Sequence, residues 1–335
     1  MNILIYSPVF LPITGGLQTV ADILAREFLA LGHQVRIVTY TPAHEPVDSG
    51  YTVIRQPSAR AYLCQMRWCD VYLQMNISLK GIWPLLLAPR SWFIHYGGYP
   101  EPGIRGRLKR IAMHFANVIP VSEYIADRLG LPAHDVIVNP YREDIFRPIS
   151  GVIRENDILF VGRLVEEKGV DILIRAVSQL RNRGIDAKLS IVGEGPNRPS
   201  LEGLVEALAL RPNVDFLGVR AGHSLAVEYN SHRIVVVPSR FEPFGIVAIE
   251  ALACGCTTIV AGNGGLIEAI GDCGLVVSPL NVDNLEDILV QALASEQAAE
   301  HARSAVIAHL ERFSPVEVAP KYLARFDGHV LDAGA

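Results

Sequence analysis

The segment "RFEPFGIVAIEALACG" (Arg240–Gly255) carries two glutamates, Glu242 and Glu250, with seven residues between them. The intervening residues are apolar or small, and Glu250 lies inside a run that otherwise reads as a buried helix. A buried carboxylate without partners is costly, on the order of 2–7 kcal/mol even for a neutral polar group. The preceding "IVVVP" reads as a strand and "SRFEPFG" as a loop, with the helix from Gly245 to Ala253. Helical side chains lean toward the N-terminus, so Glu250 can reach a ligand over that end. A pair of sugar hydroxyls would give it two donors. The alternatives are a buried salt bridge or a place at a wet edge.

Three other places have the composition for ligand chemistry. Thr14-Gly15-Gly16 joins a strand to a helix, and its glycines would let backbone N–H groups approach an anion, or simply make a tight turn. In "GRLVEEKG" (Gly162–Gly169), Arg163 leaves a strand and Lys168 opens the next helix. Two cations at a helix N-terminus oppose its dipole, which an anionic ligand would explain; pairing with Glu166 or Glu167 is the plainer reading. His95, in "SWFIHYGGY", ends an apolar strand before a glycine loop, and by itself reads as a structural histidine.

The elements that position these residues alternate strand and helix. Asn2–Ser7 and Val35–Tyr40 flank a helix marked by Leu17, Val20, Ala21, Leu24, Phe28 and Leu31. The plan restarts at Asp157–Gly162, followed by a helix through Leu180 and by "AKLSIVG", "VDFLG", "IVVVPS" and "TTIVAG". This predicts an α/β chain of two doubly wound domains with parallel sheets covered on both faces, 1–148 and 149–335. Asn139–Asp157 reads as the linker, and the final helical segment, broken by Pro320, could pack back on the first domain.

Composition narrows the classes. Of 335 residues half are hydrophobic, 19% are charged and the formal charge is -5, which suits a well-cored globular protein and gives no global attraction to nucleic acid. The apolar run "GIWPLLLA" is too short to span a bilayer, and the N-terminus lacks the basic start of a leader. Five cysteines without metal-ligand spacing suggest reduced thiols and a cytoplasmic location. "GEGPNR" places Arg198 where a dinucleotide fingerprint needs glycine. A phosphate-loop Lys-Ser/Thr pair, a D-x-D pattern and a zinc cluster are all missing from the sequence. Arg105, Arg107, Lys109 and Arg110, before the apolar Ile111–Phe115, could touch anionic lipid at the inner face of a membrane or form a solvated helix face.

In order and spacing, "GHQVRIVT", "VSEYI", "LFVGRLVEEKGVDILI", "IVGEGPNR", "VDFLG", "VVVPSRFEPFGIVAIEALACG", "GNGGLIEAI" and "GLVVSPLNVD" resemble the retaining GT-B glycosyltransferases of family 4. The resemblance implies two Rossmann-like domains facing across a cleft. The second would hold a nucleoside-diphosphate sugar, with UDP favoured, and the first a saccharide or lipid-linked acceptor. It implies that Arg163, Lys168 and the Gly16 amide bind the diphosphate, with Gly15 beside them. Glu250 would take the ribose hydroxyls. Glu242 would lie at the donor sugar beside the amides of Phe244, Gly245 and Ile246. Val219 and Arg220 would lie near the base, and His95 near the transferred sugar. It also implies retention of configuration, no cofactor and no metal. The sequence departs from the family at "NPYREDIFRP", at Gln74 and Asn76, and in its short N-terminal part. A GT-B phosphorylase or epimerase and a sugar-binding protein without activity stay open as alternatives.

Overall fold

The computed structural model describes residues 1–13, 15–42, 50–98, 103–294 and 303–332. Thr14 of the first glycine loop lies outside them. The chain divides into two compact units, Met1–Tyr141 with Phe313–Ala335, and Arg142–Arg312.

The first unit is built on the strands β1 (Asn2–Tyr6), β2 (Gln34–Thr39), β3 (Thr52–Arg55), β4 (Val71–Met75), β5 (Ser91–Tyr96) and β6 (Asn117–Pro120). They form one parallel sheet in the order β3-β2-β1-β4-β5-β6. The second unit repeats this order with β7 (Asn156–Val161), β8 (Leu189–Val192), β9 (Val214–Gly218), β10 (His232–Val237), β11 (Thr257–Ala261) and β12 (Leu275–Val277): β12-β11-β10-β7-β8-β9. Each sheet therefore reverses its winding once, between β1 and β4 and between β7 and β10. Ligands of such sheets bind beyond the carboxyl ends of the strands at that reversal.

The central strands carry continuous apolar runs because helices cover both of their faces. In the second unit, Ile158, Phe160, Ile234, Val236 and Ile259 pack against Leu173, Val177 and Leu180 of the helix Val170–Asn182. In the first, Phe28, Phe93, Tyr322 and Phe326 form an aromatic cluster, with Phe93 and Phe326 rings 4.7 Å apart.

Two expectations need correction. The boundary falls between Tyr141 and Arg142 rather than after residue 148; the final segment does group with the first unit, as its helical pattern allowed. Residues after 141 are fastened to the second unit: Phe146 packs on Tyr229, Ile149 donates its N–H to Asn230 Oδ1, and the Arg154 guanidinium bonds the carbonyls of Tyr229, His232 and Cys254. Asn139–Asp157 is thus largely part of the second unit. The final helix also runs unbroken from Pro315 to Asp332 through Pro320. Burial of Val318, Ala319, Tyr322 and Phe326 along one face outweighs the hydrogen bond Pro320 cannot make.

Candidate functional site

In the second unit, the loops after β7 and β10 meet at the sheet reversal. After β7 the chain makes a short turn, Glu166–Lys168, then passes Gly169 into the helix Val170–Asn182. Gly169 has φ 64°, and a Cβ there would lie 2.0 Å from the Pro238 carbonyl oxygen at the end of β10. Glycine is required by both the left-handed backbone and this close approach. Arg240 clamps the same two loops. Its N–H donates to Glu167 O at 2.7 Å, and its guanidinium grips the Asp171 carboxylate through bonds of 2.9 and 2.7 Å. Burial would raise the Asp171 carboxyl, but its bonds from Arg240 hold it below the ordinary value.

This clamp brings Lys168 and Glu242 together. Lys168 Nζ donates to Glu242 Oε2, and Ser239 Oγ donates to the same oxygen at 3.4 Å. Both members of the ion pair are only partly buried. An ammonium has three donors, so bonding to Glu242 leaves Lys168 able to hold an anion as well. Arg163, at the exit of β7, is exposed and in no ion pair among the described residues. The loop after β11 covers the Glu242 backbone from the other side. Gly265 N–H donates to Glu242 O at 2.9 Å, and a Cβ on Gly264 would sit 2.2 Å from that oxygen.

Gly245 then starts the helix Ile246–Ala253 without a side-chain cap. The Phe244 ring is buried, so its contribution to a ligand would be its backbone amide, as for Gly245 and Ile246. Glu250 is 7% exposed. No cation pairs with it among the described residues; Tyr229 OH donates to its Oε2 at 3.0 Å. Burial pushes the Glu250 carboxyl up to about 8, the Tyr229 bond opposing it in part. The salt-bridge alternative is therefore set aside. Val219 and Arg220 follow β9 on the exposed surface, where Arg220 lies 3.7 Å from Glu228.

In the first unit, Gly15 is the uncapped residue before the helix Gly16–Ala30, and both glycines are exposed. His95, the fifth residue of β5, is 1% exposed. Its Nδ1 is 2.7 Å from Tyr322 OH, and burial lowers it to about 3, so the ring is neutral. Its carbonyl accepts from Asn76 N–H at 2.8 Å. The sequence reading missed Tyr229, Ser239, the Arg240–Asp171 clamp and Tyr322. Ser239 acts on Glu242 three residues on, within one loop; the others act across elements distant in the chain, so no local motif marks them. Among the described residues no group of three or more His, Cys, Asp or Glu could hold a metal ion, and no helix is long and apolar enough to cross a membrane.

Two doubly wound halves with this strand order define the GT-B fold. The chain superposes on Anabaena HepE in complex with UDP-glucose with a TM-score of 0.82 at 20% identity, over 98% of this chain and 100% of that one. Residues 142–308 match the family Glycosyl transferases group 1. An uncharacterized glycosyltransferase of Methanocaldococcus jannaschii is 43% identical over 160 residues, 44% of this chain and 41% of that protein. A D-inositol 3-phosphate glycosyltransferase of Rhodococcus opacus is 38% identical over 255 residues, 68% of this chain. The chain spans 41% and 57% of the length of these two curated relatives.

Proposed function

We propose that the protein is a retaining glycosyltransferase of family 4. It moves a hexose-type sugar from a nucleoside-diphosphate sugar, UDP favoured, to a saccharide or lipid-linked acceptor. The observation that carries this reading is the Lys168–Glu242 pair at the β7–β10 reversal, beside the uncapped helix at Gly245. The group 1 match over the same unit supports it, as do relatives named as glycosyltransferases and a structural neighbour solved with UDP-glucose.

In this reading Arg163 and Lys168 take the diphosphate, whose negative charge grows as its bond to the sugar breaks. Fixed cations and amides stabilise that charge without reorganising. The acceptor oxygen forms the new bond on the face the diphosphate leaves, and the acceptor proton passes to the departing phosphate oxygen. Glu250 accepts the ribose hydroxyls, and Val219 and Arg220 flank the base. Glu242, steered by Lys168 and Ser239, faces the sugar. His95, which the resemblance puts near the transferred sugar, has a neutral ring hydrogen-bonded to Tyr322 OH.

The charge on the diphosphate is met by side chains and amides, so transfer proceeds in excess EDTA. The experiment is a thermal-shift comparison of UDP, GDP and ADP, then product analysis with the matching nucleotide sugars, with and without acceptor and EDTA. Stabilisation by one nucleotide, and acceptor-dependent transfer that Lys168→Ala abolishes, are expected. Epimerised donor without acceptor, or sugar phosphate as product, would replace transfer by one of the other GT-B chemistries. Indifference to every nucleotide would end the reading.

A further inference from the structure

The helix Gly103–Met113 turns an apolar stripe away from the protein. Ile104 is 77% exposed, Leu108 49%, Ile111 57% and, just past the helix end, Phe115 81%. At about 100° per residue, these positions fall within an arc of roughly 60°. Gly106 is the buried residue of this helix and lies about half a turn away from that arc. The hydrophobic residues are therefore not the helix's core-facing side.

The charges beside the stripe have one sign. Exposed Arg105 lies on one flank, and exposed Arg107 and Arg110 lie on the other. No Asp or Glu occurs between Gly103 and Ser122, although the whole chain carries a formal charge of -5. An apolar stripe facing solvent between basic flanks matches an anionic bilayer surface: aliphatic and aromatic tips enter the headgroup boundary while guanidinium groups bind phosphates. A protein partner would have to bring a groove shaped to these side chains, whereas a bilayer asks only for an apolar stripe between basic flanks. We infer that Ile104, Leu108, Ile111 and Phe115 form a lipid-docking face that seats the first unit on anionic membrane. The face depends on neither donor binding nor transfer, and it would bring the protein to an acceptor carried on lipid.

The test is vesicle flotation of the full chain without nucleotide. It compares vesicles of phosphatidylcholine alone with vesicles also containing phosphatidylglycerol, at low and high salt. The parent floats with the anionic vesicles at low salt and little with neutral ones. Each arginine near an anionic surface is worth roughly fivefold in partitioning, so Arg105→Ser/Arg107→Ser/Arg110→Ser loses on the order of a hundredfold. Ile111→Ser/Phe115→Ser keeps every charge and loses at least about tenfold. All the substituted side chains are exposed, and unchanged unfolding midpoints verify that the fold survives. Phe115→Trp provides a depth reading: its emission shifts to the blue on anionic vesicles only if the stripe inserts. The inference is overturned if the parent stays with the soluble fraction. It is equally overturned if the serine variants float like the parent, or if the tryptophan emission does not move. Self-association of the parent that Ile111→Ser/Phe115→Ser abolishes, without vesicle binding, would reassign the face to a second copy of the chain. Loss of transfer in solution leaves the flotation result untouched, so the two proposals fail separately.

Discussion

Replacing Glu250 by Gln separates the two things a buried carboxyl can do. The group's ordinary value is 4.5, and burial raises it to about 8 in the folded chain. A raised carboxyl contributes stability that is present below 4.5 and is lost as pH rises through about 8. By pH 7 the loss amounts to on the order of 3 kcal/mol, since each tenfold step in proton affinity is worth about 1.4 kcal/mol. Glutamine is nearly isosteric, can still accept from Tyr229 OH, and does not titrate. Urea unfolding should therefore show the parent losing stability between pH 5 and 8 relative to Glu250→Gln. Nucleotide reverses the ranking. Ribose hydroxyls donating to Glu250 favour the ionised form, so binding expels a proton in this pH window. Calorimetry with UDP in buffers of different ionisation enthalpy counts that proton, and the difference between parent and Glu250→Gln cancels titration of the phosphates. The variant should bind roughly tenfold to a hundredfold more weakly at pH 8, the loss expected for hydrogen bonds to a charged group. Equal proton release and equal affinity in the two proteins would refute Glu250 as the ribose ligand. A parallel pair of stability curves would refute its buried titration.

Glu242→Ala should bind the free nucleoside diphosphate like the parent, while turnover falls, because its role lies at the sugar; binding titrations beside transfer kinetics check both. Gly169→Ala forces a Cβ against the Pro238 carbonyl at a positive φ and should cost several kcal/mol together with nucleotide affinity, readable by chemical denaturation. The depressed His95 contributes stability that is full above 6.5 and is lost as pH falls toward 3. The unfolding free-energy gap between the parent and His95→Asn should shrink by on the order of 3 kcal/mol from pH 7 to pH 4; a gap that stays constant would mean the ring titrates normally.

Periodicity made most of the architecture legible. β9 matches "VDFLG" residue for residue, and Ile246–Ala253 lies within the helix read from the sequence. Glycine and charge spacing also marked the loops after β7 and β10, because close backbone approach and ligand charge each restrict residue type locally. Partner identity was not legible. Tyr229 reaches Glu250 from another helix, and Tyr322 reaches His95 from the far end of the chain, so nothing near either residue announces the contact. The exposed stripe on Gly103–Met113 shows the opposite limit. Its pattern was visible as an amphipathic helix, but only burial reveals that the apolar side points outward. Pro320 was misread because a local rule about helix interiors ignores the tertiary burial that overrides it.

The return of residues 313–335 to the first unit sets an order of assembly on the ribosome. Synthesis delivers all six strands of the first sheet early, yet the cover for Phe28, Phe93 and His95 leaves the exit tunnel only after the whole second unit. The second unit, Arg142–Arg312, is made in full before that segment, and domains fold as units during synthesis. The later-made half can thus mature first, while the earlier-made half waits with an apolar flank open to chaperones. A stop codon after Arg312 would leave the second half its complete set of strands and strand the first in that waiting state.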